Sequence, residues 1–299
     1  MAFEGFSDER LAVNGTTIRT RAYRHPESGA QALLLLHGFP QSHYLWRHVV
    51  ARLSPRYSVV CPDLRGYGDS GKPAGLPDHS NYSKRVMAQD MAEVMQALGH
   101  ESYIVIGHDR GGRVAHRLAL DHPEQVTALS LLDIAPTLTM YENTNMAFAR
   151  AYFHWFFLIQ PHPLPEMMMA RCAPELLRAF LGGWGANLGI YGAEALAEYE
   201  RCWANPAALH ASCEDYRAAA GIDLEHDRDS DARGVKIACP LQVLWGSEGV
   251  IARLYEPLAL WREKSHAAVQ GCALPGGHFI PEEVPEQLLG QLLPFLARL

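Results

Sequence analysis

Short, uninterrupted apolar runs separated by longer stretches of helical pattern leave this chain few ways to fold. Ala32 to Leu36 (ALLLL), Tyr57 to Cys61 (YSVVC), Tyr103 to Ile106 (YIVI), Ala128 to Leu132 (ALSLL) and Leu241 to Trp245 (LQVLW) each read as a buried strand. Tyr82 to Leu98, Arg113 to Asp121 and Glu286 to Leu299 read as helices. A strand apolar on both faces must be covered on both. The alternation therefore predicts an α/β fold with a mainly parallel central sheet and helices on each side. In such sheets the chemistry collects outside the carboxyl ends of the strands.

The alternation breaks from about Thr137 to about Arg233, a stretch rich in aromatics, Met and Ala with few strand signals. It reads as a helical cap inserted over the active end of the sheet. Residues 137–233 would form the cap, and residues 1–136 with 234–299 the core. A chain of 299 residues is long enough to bury a substantial core.

A formal net charge of −7 argues against a nucleic-acid surface and does nothing to attract an anion, so any anion site must be built locally from a few basic residues. The six cysteines (Cys61, Cys172, Cys202, Cys213, Cys239, Cys272) show no CxxC pair and no metal-ligand spacing, which points to reduced thiols in a cytoplasmic protein. No signal-peptide pattern opens the chain, and no apolar run approaches the roughly 20 residues of a membrane span. Neither a membrane nor a nucleic acid is expected as a partner.

The stretch from Ser102 through Gly107-His108-Asp109-Arg110-Gly111-Gly112 runs a strand into small–x–acid–x–small and then into a helix. That is the pattern of a nucleophile elbow with Asp in the place usually held by Ser, and glycines at 107 and 111 suit a sharp turn. The plainer reading is that Asp109 only N-caps the helix. Aspartate changes the chemistry. A carboxylate that displaces a leaving group from an sp³ carbon forms an alkyl ester, and water can cleave that ester at the carboxylate's own carbonyl.

Ester cleavage needs a base, and Pro275-Gly276-Gly277-His278-Phe279 after the last strand-like stretch offers His278. The ring needs a carboxylate to orient it. Asp133, ending Leu131-Leu132-Asp133, is the first candidate and Glu248, after Leu244-Trp245-Gly246, its rival. The loop His37-Gly38-Phe39-Pro40 should supply the Phe39 N–H, with that of Arg110, as an oxyanion hole. Arg110 and Arg113 open the helix on one face beside Asp109, where guanidiniums suit a planar carboxylate. Cations are disfavoured at a helix N-terminus, so something must compensate them there.

Together these segments resemble the fluoroacetate (haloacetate) dehalogenases of the α/β-hydrolase superfamily. The resemblance runs through HGFPQ at 37–41, DLRGYGDS at 63–70, GHDRGGR at 107–113, the D-I-x-P-T stretch at 133–137, His154-Trp155, CEDYRAAA at 213–220, LEHD at 224–227 and GGHF at 276–279. It implies a cofactor-free, metal-free hydrolase with Asp109, His278 and Asp133 as catalytic residues. Arg110 and Arg113 would bind the substrate carboxylate, while His154, Trp155 and Tyr216 would hold the departing halide. Trp184 would form part of the pocket wall, and the family often forms homodimers. The substrate would be a small haloacid, fluoroacetate fitting best, converted to glycolate and halide. The Thr137–Tyr141 segment reads as a loop that leaves the pocket size open.

Two other functions compete. An epoxide hydrolase would use the same Asp–His–Asp set with Tyr152 and Tyr216 protonating the epoxide oxygen, but a neutral epoxide gains nothing from two guanidiniums. A non-catalytic receptor on a hydrolase fold would have no need of the full set of nucleophile, base, acid and oxyanion loop.

Overall fold

The computed structural model describes residues 3–299. Its sheet opens with a hairpin, β1 (Ser7–Val13) and β2 (Thr16–Tyr23), paired antiparallel from Ser7 opposite Ala22 to Val13 opposite Thr16. β2 lies antiparallel to β4 (Ser58–Pro62). From there β3 (Ala32–Leu36), β5 (Tyr103–His108), β6 (Val126–Leu132), β7 (Leu241–Gly246) and β8 (Val269–Leu274) continue the sheet in parallel. The order is β1-β2-β4-β3-β5-β6-β7-β8. The sheet is therefore mainly parallel, as its apolar strands require. The hairpin escaped the sequence reading because Asp8, Glu9 and Arg10 interrupt the apolar pattern of β1. An edge strand is where charges belong, since they discourage pairing with another chain.

Alternate residues of the inner strands serve two separate cores. Leu34, Leu36 and Val105 face one apolar cluster with Met91 of α2 (Lys84–Ala97) and Val114 of α3 (Arg110–Asp121). Leu33, Leu35, Ile104 and Ile106 face the other, with Val50 of α1 (Val50–Leu53) and with Leu289 and Leu292 near the C-terminus. This is the two-residue period of a strand buried on both faces. α2 starts where the Ser83 side chain accepts the Val86 N–H, satisfying one of the free donors of its first turn. α3 begins at Arg110, three residues earlier than the apolar pattern suggests.

Between β6 and β7 the described residues form seven α-helices, α4 (Thr137–Glu142), α5 (Met146–Ala151), α6 (Phe153–Leu158), α7 (Leu164–Leu181), α8 (Gly192–Trp203), α9 (Pro206–Ala220) and α10 (Ile222–Ala232), and one 3-10 turn, Leu188–Ile190. The segment read as a loop at Thr137–Tyr141 is helical. α7 is kinked at Cys172, two residues before Pro174, a residue that cannot sit inside a regular helix. Phe148, Trp155, Phe180, Tyr199 and Tyr216 from these helices join the same apolar cluster as α2 and α3. The chain then completes α11 (Val250–Leu254), α12 (Pro257–Glu263), α13 (Ile280–Glu283) and α14 (Pro285–Leu296).

Candidate active site

Asp109 alone makes the turn from β5 into α3. Its backbone sits at φ 48 and ψ −117, and its side chain makes no capping hydrogen bond to the helix. Instead Oδ2 accepts the Phe39 N–H at 2.9 Å. The N-cap reading of Asp109 therefore fails on geometry. The loop after β3 aims one backbone donor at the carboxylate, as an oxyanion hole requires. The Arg110 N–H, the second expected donor, stands directly after the turn.

His278 follows β8, and its ring Nδ1 lies 2.6 Å from Asp133 Oδ2. Asp133 Oδ1 accepts the Gly246 N–H at 3.0 Å, so both oxygens of this buried carboxylate are used. Glu248, the rival, is exposed. The loop carrying His278 is held from three sides. Glu283 accepts the N–H groups of Gly277 and Phe279, each at 2.7 Å. The Trp184 carbonyl accepts the His278 N–H at 3.1 Å, and the His108 Nε2 lies 2.8 Å from the His278 carbonyl oxygen.

The two arginines part company. Arg113 is buried, and its Nη1 donates to Thr137 Oγ1 at 2.8 Å and to the Ala135 carbonyl at 3.2 Å. Among the described residues it makes no ion pair, and its Nε has no partner. Arg110 turns the other way. Its Nε and Nη2 form a two-pronged bond to the Asp215 carboxylate at 2.9 and 2.7 Å. Its guanidinium carbon lies 4.2 Å from the centre of the Tyr216 ring. Spacing along a helix puts two Cβ atoms on one face, but it does not decide where side chains this long end.

A small enclosed cavity is lined by Phe39, Asp109, Arg113, Asp133, Tyr152, His154, Trp155, Trp184 and His278. Its free volume is only about 10 Å³, room for roughly one water, far below the several hundred Å³ of a site for drug-sized ligands. His154 and Trp155 come from α6. Tyr216, on α9, packs against this wall, its ring centre 5.6 Å from that of His154. Trp155 lies under the Arg113 guanidinium, 4.9 Å from ring centre to carbon. A larger groove, lined by Arg85, Asp121 and Arg233 among others, opens elsewhere on the surface, but Arg85 and Asp121 pair with each other there and it carries none of these groups.

The family of the α/β hydrolase fold matches residues 31–282. The chain belongs to this family. A fluoroacetate dehalogenase from Burkholderia sp is 44% identical, over 99% of this chain and 95% of that protein. A soluble epoxide hydrolase from Corynebacterium sp. (strain C12) is 33% identical, over 89% of this chain and 90% of its own length. The crystal structure of ALR0039 from Nostoc sp PCC 7120 has a TM-score of 0.94 at 51% identity, covering 98% of this chain and 99% of that one.

In this α/β hydrolase the electrostatics follow from burial and neighbours. Burial alone would raise the Asp109 carboxyl, but His278, Arg113 and Arg110 together with other neighbours outweigh it and hold it below the usual value. Burial also works against a charged His278, yet the hydrogen bond and charge of Asp133, with Asp109, keep the ring above the usual histidine value. Burial pushes His154 down to about 3, so its ring is neutral near pH 7. Burial, then the like charge of Arg110, pulls the Arg113 guanidinium below its usual range. Sequence reasoning missed Asp215 and Glu283. Asp215 stood inside the CEDYRAAA segment, and the need to compensate Arg110 at a helix N-terminus was the signal that pointed to it.

Proposed function

We propose that this α/β hydrolase is a cofactor-free haloacetate dehalogenase, with fluoroacetate as best-fitting substrate, built as a core of residues 1–136 and 234–299 with a cap of residues 137–233. The observation that carries the reading is Arg113. A buried guanidinium with no carboxylate partner borders the cavity that holds Asp109 and His278. A buried, unpaired charge is costly, and an anionic substrate would supply the missing partner. The tightly packed cavity leaves no room for a large substrate, and the 44% identity to a fluoroacetate dehalogenase supports the haloacetate class.

The reaction has two steps. With Oδ2 held by the Phe39 N–H, the other oxygen of Asp109 attacks the α-carbon in line and expels halide, while Arg113, with Arg110, holds the substrate carboxylate. His154, Trp155 and Tyr216 take the halide, donating hydrogen bonds where its charge develops. His278 then removes a proton from water, which attacks the Asp109 carbonyl carbon. The charge that develops on Oδ2 falls on the Phe39 N–H and that of Arg110. Collapse releases glycolate, restores the carboxylate and leaves a proton on His278, which Asp133 steadies.

The epoxide hydrolase reading keeps one support, Tyr152 in the cavity wall beside a 33% identical relative of that name. It would leave Arg113 unpaired. The deciding experiment follows halide release from fluoroacetate and chloroacetate, and diol from styrene oxide, with wild type and Asp109→Ala. Halide release that vanishes in Asp109→Ala is the expected result. Diol without halide would overturn the proposal.

A cytoplasmic location and a homodimer belong to the same proposal. The free cysteines support the first. The exposed Phe153, Leu164, Met167 and Met168 on α6 and α7 support the second, with light scattering as its check.

A further inference from the structure

Asp215 is wholly buried on α9, within the proposed cap, and collects its donors from Tyr67, Lys84 and Arg110 of the proposed core. Its Oδ1 accepts from Arg110 Nη2 at 2.7 Å and from the Lys84 ammonium; its Oδ2 accepts from Arg110 Nε at 2.9 Å and from the Tyr67 hydroxyl at 2.5 Å. Its own carbonyl takes a further bond from Arg110 Nη2 at 3.0 Å. One edge of the guanidinium is thus fully used and one face lies on Tyr216, so a single nitrogen is left over. That nitrogen, Nη1, is buried and has no partner.

We propose that Asp215 is a positioning residue for substrate binding. It grips Arg110 by the Nε–Nη2 edge so that Nη1 alone is presented to the substrate carboxylate, and it cancels the charge of Arg110 so that Arg113 supplies the net attraction. The two arginines then differ in kind: one contributes charge, the other a directed hydrogen bond from a neutralised pair. A planar fork held in this way is pre-organised, whereas a free arginine must give up rotamer freedom when substrate arrives. Lys84 and Tyr67, which precede the cap in the chain, hold the carboxylate from the far side, so the grip does not depend on Arg110 itself.

The inference rests on the haloacetate reading, and its test separates the two. KM and kcat for chloroacetate are measured by chloride release for wild type, Asp215→Asn, Arg110→Gln and the double variant. Loss of one hydrogen bond between charged groups predicts that Asp215→Asn raises KM about tenfold or more, with kcat changing far less. Because Asp215 acts through Arg110, adding Asp215→Asn to Arg110→Gln should raise KM no further. An unchanged KM in folded Asp215→Asn, or fully additive effects in the double variant, overturns the inference. If Asp215→Asn does not fold, Tyr67→Phe decides: a smaller rise in KM supports the inference and an unchanged KM overturns it. Wild type that releases no chloride overturns the functional reading and this inference together.

Discussion

The backbone of Asp109 occupies a left-handed conformation that a residue with a Cβ adopts at a cost of roughly 1–3 kcal/mol. Asp133 and Trp184, at φ 51 and φ 56, do the same, so three of the five such non-glycine residues among those described border one cavity. The neighbouring glycines do not share this strain. A Cβ on Gly107 would lie 2.6 Å from the Gly111 carbonyl oxygen, and one on Gly111 would lie 2.3 Å from that of His37. They are required by crowding of backbone on backbone, not by the turn angle that the sequence pattern suggests. At His278 the arrangement predicts a trapped intermediate. In His278→Ala, chloroacetate should leave an ester on Asp109, seen by mass spectrometry as an added carboxymethyl group. The base must be neutral to accept a proton, so ester hydrolysis should slow as pH falls through the value of His278. Esterification removes the Asp109 charge that helps raise that value. The acid limb of single-turnover hydrolysis should therefore lie below the His278 midpoint titrated by NMR in the free protein.

Elements from opposite ends of the chain meet at Glu282 on α13. Its carboxylate is buried, pairs with Arg47, and accepts from Tyr199 of α8 at 2.5 Å and from Gln41 at 3.0 Å. Arg47 in turn donates to the Tyr191 carbonyl at 3.2 Å. The cluster joins the segment after Phe39, the helix after His278 and a helix of the proposed cap, so it bears on two sides of the site at once. Burial lifts Glu282 from 4.5 to about 7, with Arg47, Tyr199 and Gln41 only partly offsetting it. A carboxyl whose value is raised on folding holds its proton more tightly in the folded state. Its contribution to stability is complete below about 4.5 and is lost as pH rises to about 7. Glu282→Gln cannot titrate. Urea unfolding at pH 5 and pH 8 should show wild type losing stability relative to the variant over that interval. An equal change in both proteins would place the titration elsewhere.

Across the whole molecule, the site is assembled from parts that share no local sequence: the loop after β3, the turn after β5, the ends of β6 and β8, and helices α6 and α9. An anion seated against Arg113 would touch the core and the proposed cap together, so binding should stabilise the fold as a unit. Saturating glycolate should raise Tm for wild type, by the equivalent of about 2.7 kcal/mol at a hundred times Kd, and leave Arg113→Gln almost unmoved. The parallel sheet, the Asp109 turn and the late histidine were legible because each rests on local pattern: continuous apolar strands, small residues around a turn, glycines beside a base. The hairpin of β1 and β2 was not, because an edge strand needs no continuous apolar run. That Asp133 and not Glu248 lies against His278 is visible only in three dimensions, since both follow core strands and only the fold brings one to 2.6 Å from the ring. The arginines make the same point most sharply. Their presence and spacing are written in the chain, and so is the need for a counter-charge at the start of α3. That Asp215, about a hundred residues later, answers Arg110 and leaves Arg113 without a carboxylate was decided by the tertiary fold, which brings α9 to the Arg110 guanidinium, because the reach of a long charged side chain depends on what burial places at its end.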